Sequence, residues 1–258
     1  MGGCMNGRLI IDLNCDMGES FGRYPLGSDA DVLQWVSSAN IACGMHAGDP
    51  LVMQETVRLA VERGAAVGAH PGYPDLQGFG RRVMDLTPKE VEAFVLYQIG
   101  ALAGFTRATG MELAHVKPHG ALYNQAAKDP ALAEAIARGT ARFSRELILV
   151  GLAGSRLIEA GITAGLRVAR EGFPDRAYNA DGNLKSRREP GAVLASVEDV
   201  CAQSLRLVKH GVGEGASHSR VETLCIHGDG AHAPEFARAV RQALEGEGVR
   251  IARLSSSI

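Results

Sequence analysis

Along the 258-residue chain, short apolar runs alternate with longer stretches in which apolar positions recur every three or four residues. The runs Leu9–Cys15, Ala39–Cys43, Ala65–Ala69, Leu113–Val116, Leu147–Leu152, Leu166–Ala169 and Thr223–Ile226 read as buried strands, and Val249–Arg253 is a candidate eighth. Between them lie helices with recognisable ends. Asp49 and Pro50 read as N-cap and first helical residue of a segment that runs to Arg63 and stops at Gly64. Thr87-Pro88-Lys89-Glu90 is a capping box, followed by Val91, Phe94, Val95, Leu102 and Phe105 at helical spacing up to Gly110. Further helices are predicted over Asp129–Arg145, Ser155–Ala160, Ser196–His210 and Pro234–Gly246.

Strict alternation of strand and helix implies parallel strands covered by helices. Seven or eight such units point to an irregular (β/α) barrel occupying residues 1–258 as one domain. No G-x-G-x-x-G follows a strand, which argues against an open dinucleotide-binding sheet. Two connections exceed the usual two to six residues, Gly72–Leu86 and Gly172–Ala195, and both are candidate binding loops over the barrel mouth.

Composition narrows the partners. Lys plus Arg number 27 against 29 Asp plus Glu, a formal charge of −2, whereas phosphate contacts need a basic excess; nucleic acid is not expected. No apolar run reaches the ~18 residues of a transmembrane helix, and the first residues carry no apolar stretch of signal-peptide type. The five cysteines, at positions 4, 15, 43, 201 and 225, form no C-x-x-C pair. The odd count points to a reducing, cytoplasmic compartment, and Cys15, Cys43 and Cys225 read as small buried hydrophobes, with Cys43 the alternative nucleophile.

Unusual polar residues collect where strands end. Asp12, Asn14 and Asp16 are two apart and share one face of the first strand, opposite Ile11, Leu13 and Cys15. Carboxylates on a buried strand face are costly unless paired or ligated. Five of the eight histidines sit just past a strand's C-terminal end: His46, His70, His119, His227 and His232. Lys117 lies among them, and catalytic residues of a barrel come from several strands at that face. Two chemistries fit. In metal-assisted hydrolysis, Asp16, His46 and His70 coordinate a divalent ion. In metal-free amide chemistry, an aspartate or histidine activates water while Lys117 or His119 polarises the carbonyl or protonates the leaving nitrogen. Lys117 is expected to have a lowered pKa if buried. Asp49 reads as a helix cap more readily than a ligand, and Arg81 and Arg82 in a glycine-rich turn as a carboxylate site or as solvated side chains.

The runs IDLNCDMGESFG (11–22), ANIACGMHAGDP (39–50), VGAHPGYPDLQGFGRR (67–82), HVKPHGALYN (115–124), EGFPDRAY (171–178) and CIHGDG (225–230) resemble the LamB/YcsF family, whose members are assigned as the A subunit of 5-oxoprolinase. The resemblance implies a barrel of the glycoside hydrolase/deacetylase type. It also implies ATP-dependent opening of the cyclic lactam 5-oxoproline to L-glutamate, together with partner subunits B and C. ATP enters as a co-substrate of the complex, and the absence of a P-loop motif points to its handling by a partner or in another way. Related deacetylases hold a metal on an aspartate and an H-x-x-x-H pair; the nearest counterpart here, His46-Ala-Gly-Asp49, lacks the second histidine. The expected catalytic set is Asp16, His46, His70, Lys117 and His119. Asn14, Glu19, Asn40, Tyr123, Glu171, Arg176, Tyr178, Arg187, His227 and Asp229 are expected to contact substrate, with Arg176 or Arg187 on its carboxylate. The alternatives are a stand-alone metal-dependent carbohydrate deacetylase and a non-catalytic binding subunit.

Overall fold

The computed structural model describes residues 9–185, 189–215, 218–226 and 232–254. Seven strands make the barrel wall: β1 (Ile10–Met17), β2 (Ser38–Ala42), β3 (Ala66–His70), β4 (His115–Val116), β5 (Ile148–Leu152), β6 (Arg167–Gly172) and β7 (Thr223–Ile226). All neighbours are parallel, and β1 closes the ring by pairing with β7 on one side and β2 on the other. The eighth strand, β8 (Arg250–Ile251), stays outside the wall and pairs with Ile10 and Ile11 at the start of β1, the N–H groups of Arg250 and Ala252 donating to the carbonyls of Leu9 and Ile11. The wall therefore has seven strands, the lower of the two expected counts.

The helices are α1 (Asp29–Val32), α2 (Pro50–Glu62), α3 (Pro88–Ala108), α4 (Gly120–Ala126), α5 (Pro130–Phe143), α6 (Arg156–Thr163), α7 (Val197–His210) and α8 (Ala233–Gly246). No helix among the described residues is long and apolar enough to cross a membrane. Asp49 caps α2, its Oδ1 accepting from the backbone N–H of Leu51 and Val52, and its Oδ2 also holds the N–H of Gly22. The capping box of Thr87 and Glu90 opens α3. Toward β3 the backbone bonds run from Ala114 to Val67 and from Lys117 to Ala69, and continue past both strands from His119 to Pro71, which carries Lys117 and His119 to the barrel mouth.

Alternation along β1 sets the barrel's two surfaces. Ile11, Leu13, Cys15 and Met17 face outward and join the main core with residues such as Val57, Val95, Leu102 and Val240 of the covering helices. Asp12, Asn14 and Asp16 face the lumen. The lower lumen is apolar, closed by Ile148, Val150, Ala169 and Leu254. Above it the lumen is polar and closed to bulk solvent: Asp12, Asn14, Ser38, Asn40, His115, Glu171 and Thr223 are all fully buried. Each buried polar group then needs a partner. Asp12 accepts from Ser37, Ser38 and Thr223 at 2.8, 2.6 and 2.5 Å. Gly68 supplies the space for the His115 ring, whose atoms would overlap any Cβ placed there.

Candidate functional site

The mouth of the barrel carries two adjoining clusters. The first is centred on Lys117. Its ammonium lies 2.9 Å from Asp16 Oδ1 and 2.9 Å from Glu171 Oε1, and donates to Cys225 Sγ at 2.9 Å and Asn14 Oδ1 at 3.3 Å. These partners come from β1, β6 and β7, so one side chain from the end of β4 ties the lumen together. Burial alone would lower the lysine's pKa, but the neighbouring carboxylates of Asp16 and Glu171 hold it well above its ordinary value. The expected depression is reversed, and Lys117 is a fixed cation rather than a poised amine.

The rest of this cluster supports the lysine. Asn14 donates to Glu171 Oε1 at 2.9 Å and Thr223 Oγ1 at 2.6 Å. Asn40 donates to Asn14 Oδ1 at 2.7 Å and Asp16 Oδ1 at 2.8 Å, and its own Oδ1 accepts from His115 Nε2 at 2.7 Å. Tyr123 donates to Glu171 Oε2 at 2.7 Å. Burial, with the charge of Lys117 added, lowers the His115 pKa to about 3.

The second cluster is formed by Glu19, His46, His70 and His119, all buried, which follow or end the four consecutive strands β1 to β4. One ligand atom from each lies within 4.8 Å of all the others, so the group could hold a metal ion. His46 and His119 stack with ring centroids 3.8 Å apart, and His70 meets both edge-on. Backbone groups fix two of the rings. The Nδ1 of His70 donates to the Lys117 carbonyl at 2.7 Å, and Nε2 of His119 donates to the Phe79 carbonyl at 2.8 Å. Phe79 alone among the described non-glycine residues has a positive φ, 54°, and that conformation helps set its carbonyl beside His119. Gly80 follows at φ 60° and lies where a Cβ would come 2.7 Å from the His46 Cβ. Burial, reinforced by the other histidines, lowers the His46 pKa well below its usual value and that of His119 to about 3.

Asp16 joins the clusters: Oδ1 serves Lys117 and Asn40, while Oδ2 lies 3.4 Å from His70 Nε2. A cavity of about 230 Å³ opens above, lined by Asp16, His70, Lys117 and His119 among others, with Arg81 and Arg176 on its walls. The expected catalytic residues are therefore gathered, with His46 and Glu19 behind the cavity wall.

Other expected residues fall in different places. Arg176 lines the cavity but donates to the backbone carbonyls of Lys185 and Ala192, so much of its guanidinium braces the long loop after β6. Tyr178 accepts from the Phe173 N–H at 2.6 Å and is absent from the cavity wall. Asn14, Asn40 and Glu171 form the floor beneath the cavity. His232 is exposed and pairs with Glu235, away from the other histidines. Arg187, His227 and Asp229 lie outside the described residues. Cys43 is buried, and burial pushes its thiol up to about 12, which leaves the nucleophile reading without support. Arg81, exposed on the cavity rim, is legible in the sequence only as one of two arginines in a glycine-rich turn; its neighbour Arg82 is held by Asp75.

Known proteins share this architecture. A protein of Tolumonas auensis named as the A subunit of 5-oxoprolinase is 58% identical over 246 residues, 93% of this chain and 98% of its own. The crystal structure of a lactam utilization protein from Thermus thermophilus superposes with a TM-score of 0.88 at 50% identity, covering 94% of this chain and 98% of that one. A peptidoglycan N-acetylglucosamine deacetylase shares the fold alone, with a TM-score of 0.50 at 10% identity, covering 98% of this chain and 89% of that one. The LamB/YcsF family model matches residues 11–258, and the chain belongs to the LamB/YcsF family.

Proposed function

We propose that this chain is the A subunit of an ATP-hydrolysing 5-oxoprolinase and carries the site at which the lactam ring of 5-oxo-L-proline is opened to L-glutamate. The observation that carries the reading is the near-full-length identity to relatives of that name. A buried charged site at the barrel mouth supports it. The cavity of about 230 Å³ suits a five-membered ring better than a polymer chain.

The residues suggest a division of labour. Asp16, partly exposed at the cavity floor, takes a proton from the attacking water as that water adds to the lactam carbonyl. The carbonyl oxygen becomes an oxyanion beside the permanently charged Lys117, which needs no reorganisation to stabilise it. The C–N bond then breaks, and the proton held by Asp16 passes to the ring nitrogen, which leaves as the amine of glutamate. Arg81 at the rim meets the substrate carboxylate, while Arg176 on the cavity wall braces the loop after β6. A divalent ion on Glu19 and the three histidines would add Lewis-acid polarisation of the carbonyl. A five-membered lactam is a stable amide, and activating it for this attack is the proposed use of the ATP that the complex consumes. Subunits B and C are the proposed partners, and ATP handling falls to them or to an interface with them. Free thiols at Cys15, Cys43, Cys201 and Cys225 suit a cytoplasmic setting.

The test is reconstitution. The purified chain with subunits B and C, ATP and 5-oxo-L-proline should release glutamate, and Asp16→Asn should abolish release while the far-ultraviolet circular dichroism stays unchanged. No glutamate from the complete mixture, or wild-type rates in the variant, would refute the proposal or the role of Asp16 respectively.

A further inference from the structure

Among the described residues, acceptors outnumber donors at one point behind the cavity wall. A backbone carbonyl only accepts, so the 2.7 Å contact of His70 Nδ1 with the Lys117 carbonyl requires the proton on Nδ1 and leaves a lone pair on Nε2. The same logic puts the His119 proton on Nε2, against the Phe79 carbonyl, and a lone pair on Nδ1. Those two lone-pair atoms face each other at 3.0 Å. Glu19 Oε1 lies 3.6 Å from His119 Nδ1 and 3.6 Å from His46 Nε2. Neither ring nitrogen of His46 makes a hydrogen bond among the described residues, although the ring is 1% exposed.

Such an arrangement repels itself unless a cation occupies the centre. One candidate is a proton shared between His70 and His119. It would leave both ring nitrogens of the buried His46 without a partner among the described residues. The other candidate is a metal ion. A tetrahedral ion about 2.0–2.1 Å from each ligand holds its ligand atoms about 3.3–3.4 Å apart. Three separations here are 3.0, 3.6 and 3.6 Å and all lie within 4.8 Å, so binding would draw the four groups together and turn the His46 ring out of its stack on His119. Imidazoles whose second nitrogen donates to a backbone carbonyl are the usual outer support of such sites.

We propose that Glu19, His46, His70 and His119 bind one borderline divalent transition-metal ion of the zinc class, with Glu19 and not Asp16 as the carboxylate ligand. Asp16 Oδ2 comes within 3.4 Å of His70 Nε2, but its Oδ1 is held by Lys117 and Asn40 and the residue falls outside the four-atom cluster. Three imidazoles with one carboxylate favour zinc, cobalt or nickel over calcium or magnesium, which prefer all-oxygen shells. The ion sits where His70 and His119 reach the cavity wall, beside the site of the proposed ring opening. The inference deepens that functional reading through its position but does not depend on it for its test.

The experiment uses the full chain stripped of metal by chelator, with Zn²⁺ or Co²⁺ alone as probes. Elemental analysis after desalting should give one zinc per chain. Co²⁺ should produce visible d–d bands of a low-coordinate site, and zinc should shift the imidazole nitrogen resonances of three histidines. Glu19→Gln should weaken binding at least tenfold, whereas Asp16→Asn should stay within about threefold of wild type. Failure of the stripped wild-type chain to bind either ion stoichiometrically overturns the site without recourse to any variant. Equal loss in Asp16→Asn and Glu19→Gln overturns the choice of ligand. Glutamate release by the same preparations with their partner subunits is read separately: turnover by a chain that binds no ion overturns the site alone, and a stoichiometric site without turnover overturns only the functional reading.

Discussion

Replacing Lys117 by methionine tests the charge balance of the lumen most directly. The side chain is 2% exposed, and methionine retains its length and apolar stem while removing the ammonium. Glu171, fully buried, would keep the hydrogen bonds from Asn14 and Tyr123 but lose its counter-charge 2.9 Å away. Asp16 would lose the same partner at 2.9 Å while keeping the bond from Asn40. Removing one partner of a buried ion pair costs about 3–5 kcal/mol, a large part of the 5–15 kcal/mol that holds a typical domain folded. For a chain of this size that corresponds to a fall in Tm of roughly 6–20 °C. Urea unfolding followed by circular dichroism measures the loss, and the double variant Lys117→Met/Glu171→Gln isolates its cause. With both charges gone, the double variant should be more stable than Lys117→Met alone, and the cycle should give a coupling of about 1.5–3 kcal/mol. A single-variant cost below about 1 kcal/mol, or additivity within about 0.5 kcal/mol, would refute the view that Lys117 is the cation on which the buried carboxylates depend.

Other expectations follow from neighbouring groups. Burial raises the Asp12 pKa from 3.8 to about 6, so its protonated form favours the fold. The stabilisation is complete below the unfolded pKa and is lost as pH rises through about 6. Just over two pH units at about 1.4 kcal/mol each is about 3 kcal/mol, and the stability of wild type relative to Asp12→Asn should fall by most of it between pH 4 and 7; a flat difference in denaturant titrations rejects this. Gly68→Ala should destabilise at the upper end of the roughly 1–3 kcal/mol typical of overpacking, since its Cβ meets the His115 ring and that ring is held by Asn40; unchanged urea unfolding would contradict the packing. Arg81→Gln should raise KM for 5-oxoproline about tenfold or more with little change in kcat in the reconstituted system; an effect confined to kcat would remove Arg81 from carboxylate binding.

Much of the fold is legible in the chain because strand and helix impose different periods. The two-residue alternation in β1 separates Asp12, Asn14 and Asp16 from Ile11, Leu13 and Cys15, and the lumen confirms that division. Helix ends are legible where capping chemistry is local, as at Asp49 and at Thr87 with Glu90. The short helix α1 escapes because four residues cannot display a helical period. The position of the eighth strand escapes for another reason: an apolar run shows that a segment is buried, not which neighbour it pairs with. Within the site, electrostatics are the hard part. Burial alone would lower the pKa of Lys117, and only the carboxylates brought from β1 and β6 reverse the sign. Glu19, two residues past the end of β1, gives no periodic signal that would place it among three histidines rather than against substrate.

The same bonds that shape the site also fix the register of the barrel. Asn14 donates to Glu171 of β6 and Thr223 of β7, and accepts from Asn40 of β2 and from Lys117 just past β4. One side chain thus joins strands on every side of the lumen, using both of its donors and its acceptor. A slip of β1 by one residue would turn Asp12, Asn14 and Asp16 toward the helices and put Leu13 and Cys15 in their place. Every partner in the lumen would then lose its bond at once, at about 1–3 kcal/mol for each buried group left unmade. The penalty grows with the number of partners, so a polar lumen specifies the closed ring more sharply than an apolar filling, which tolerates rearrangement. The apolar layer of Ile148, Val150, Ala169 and Leu254 below supplies burial without such direction. The site at the mouth therefore rests on the same network that sets the alignment of the strand ends.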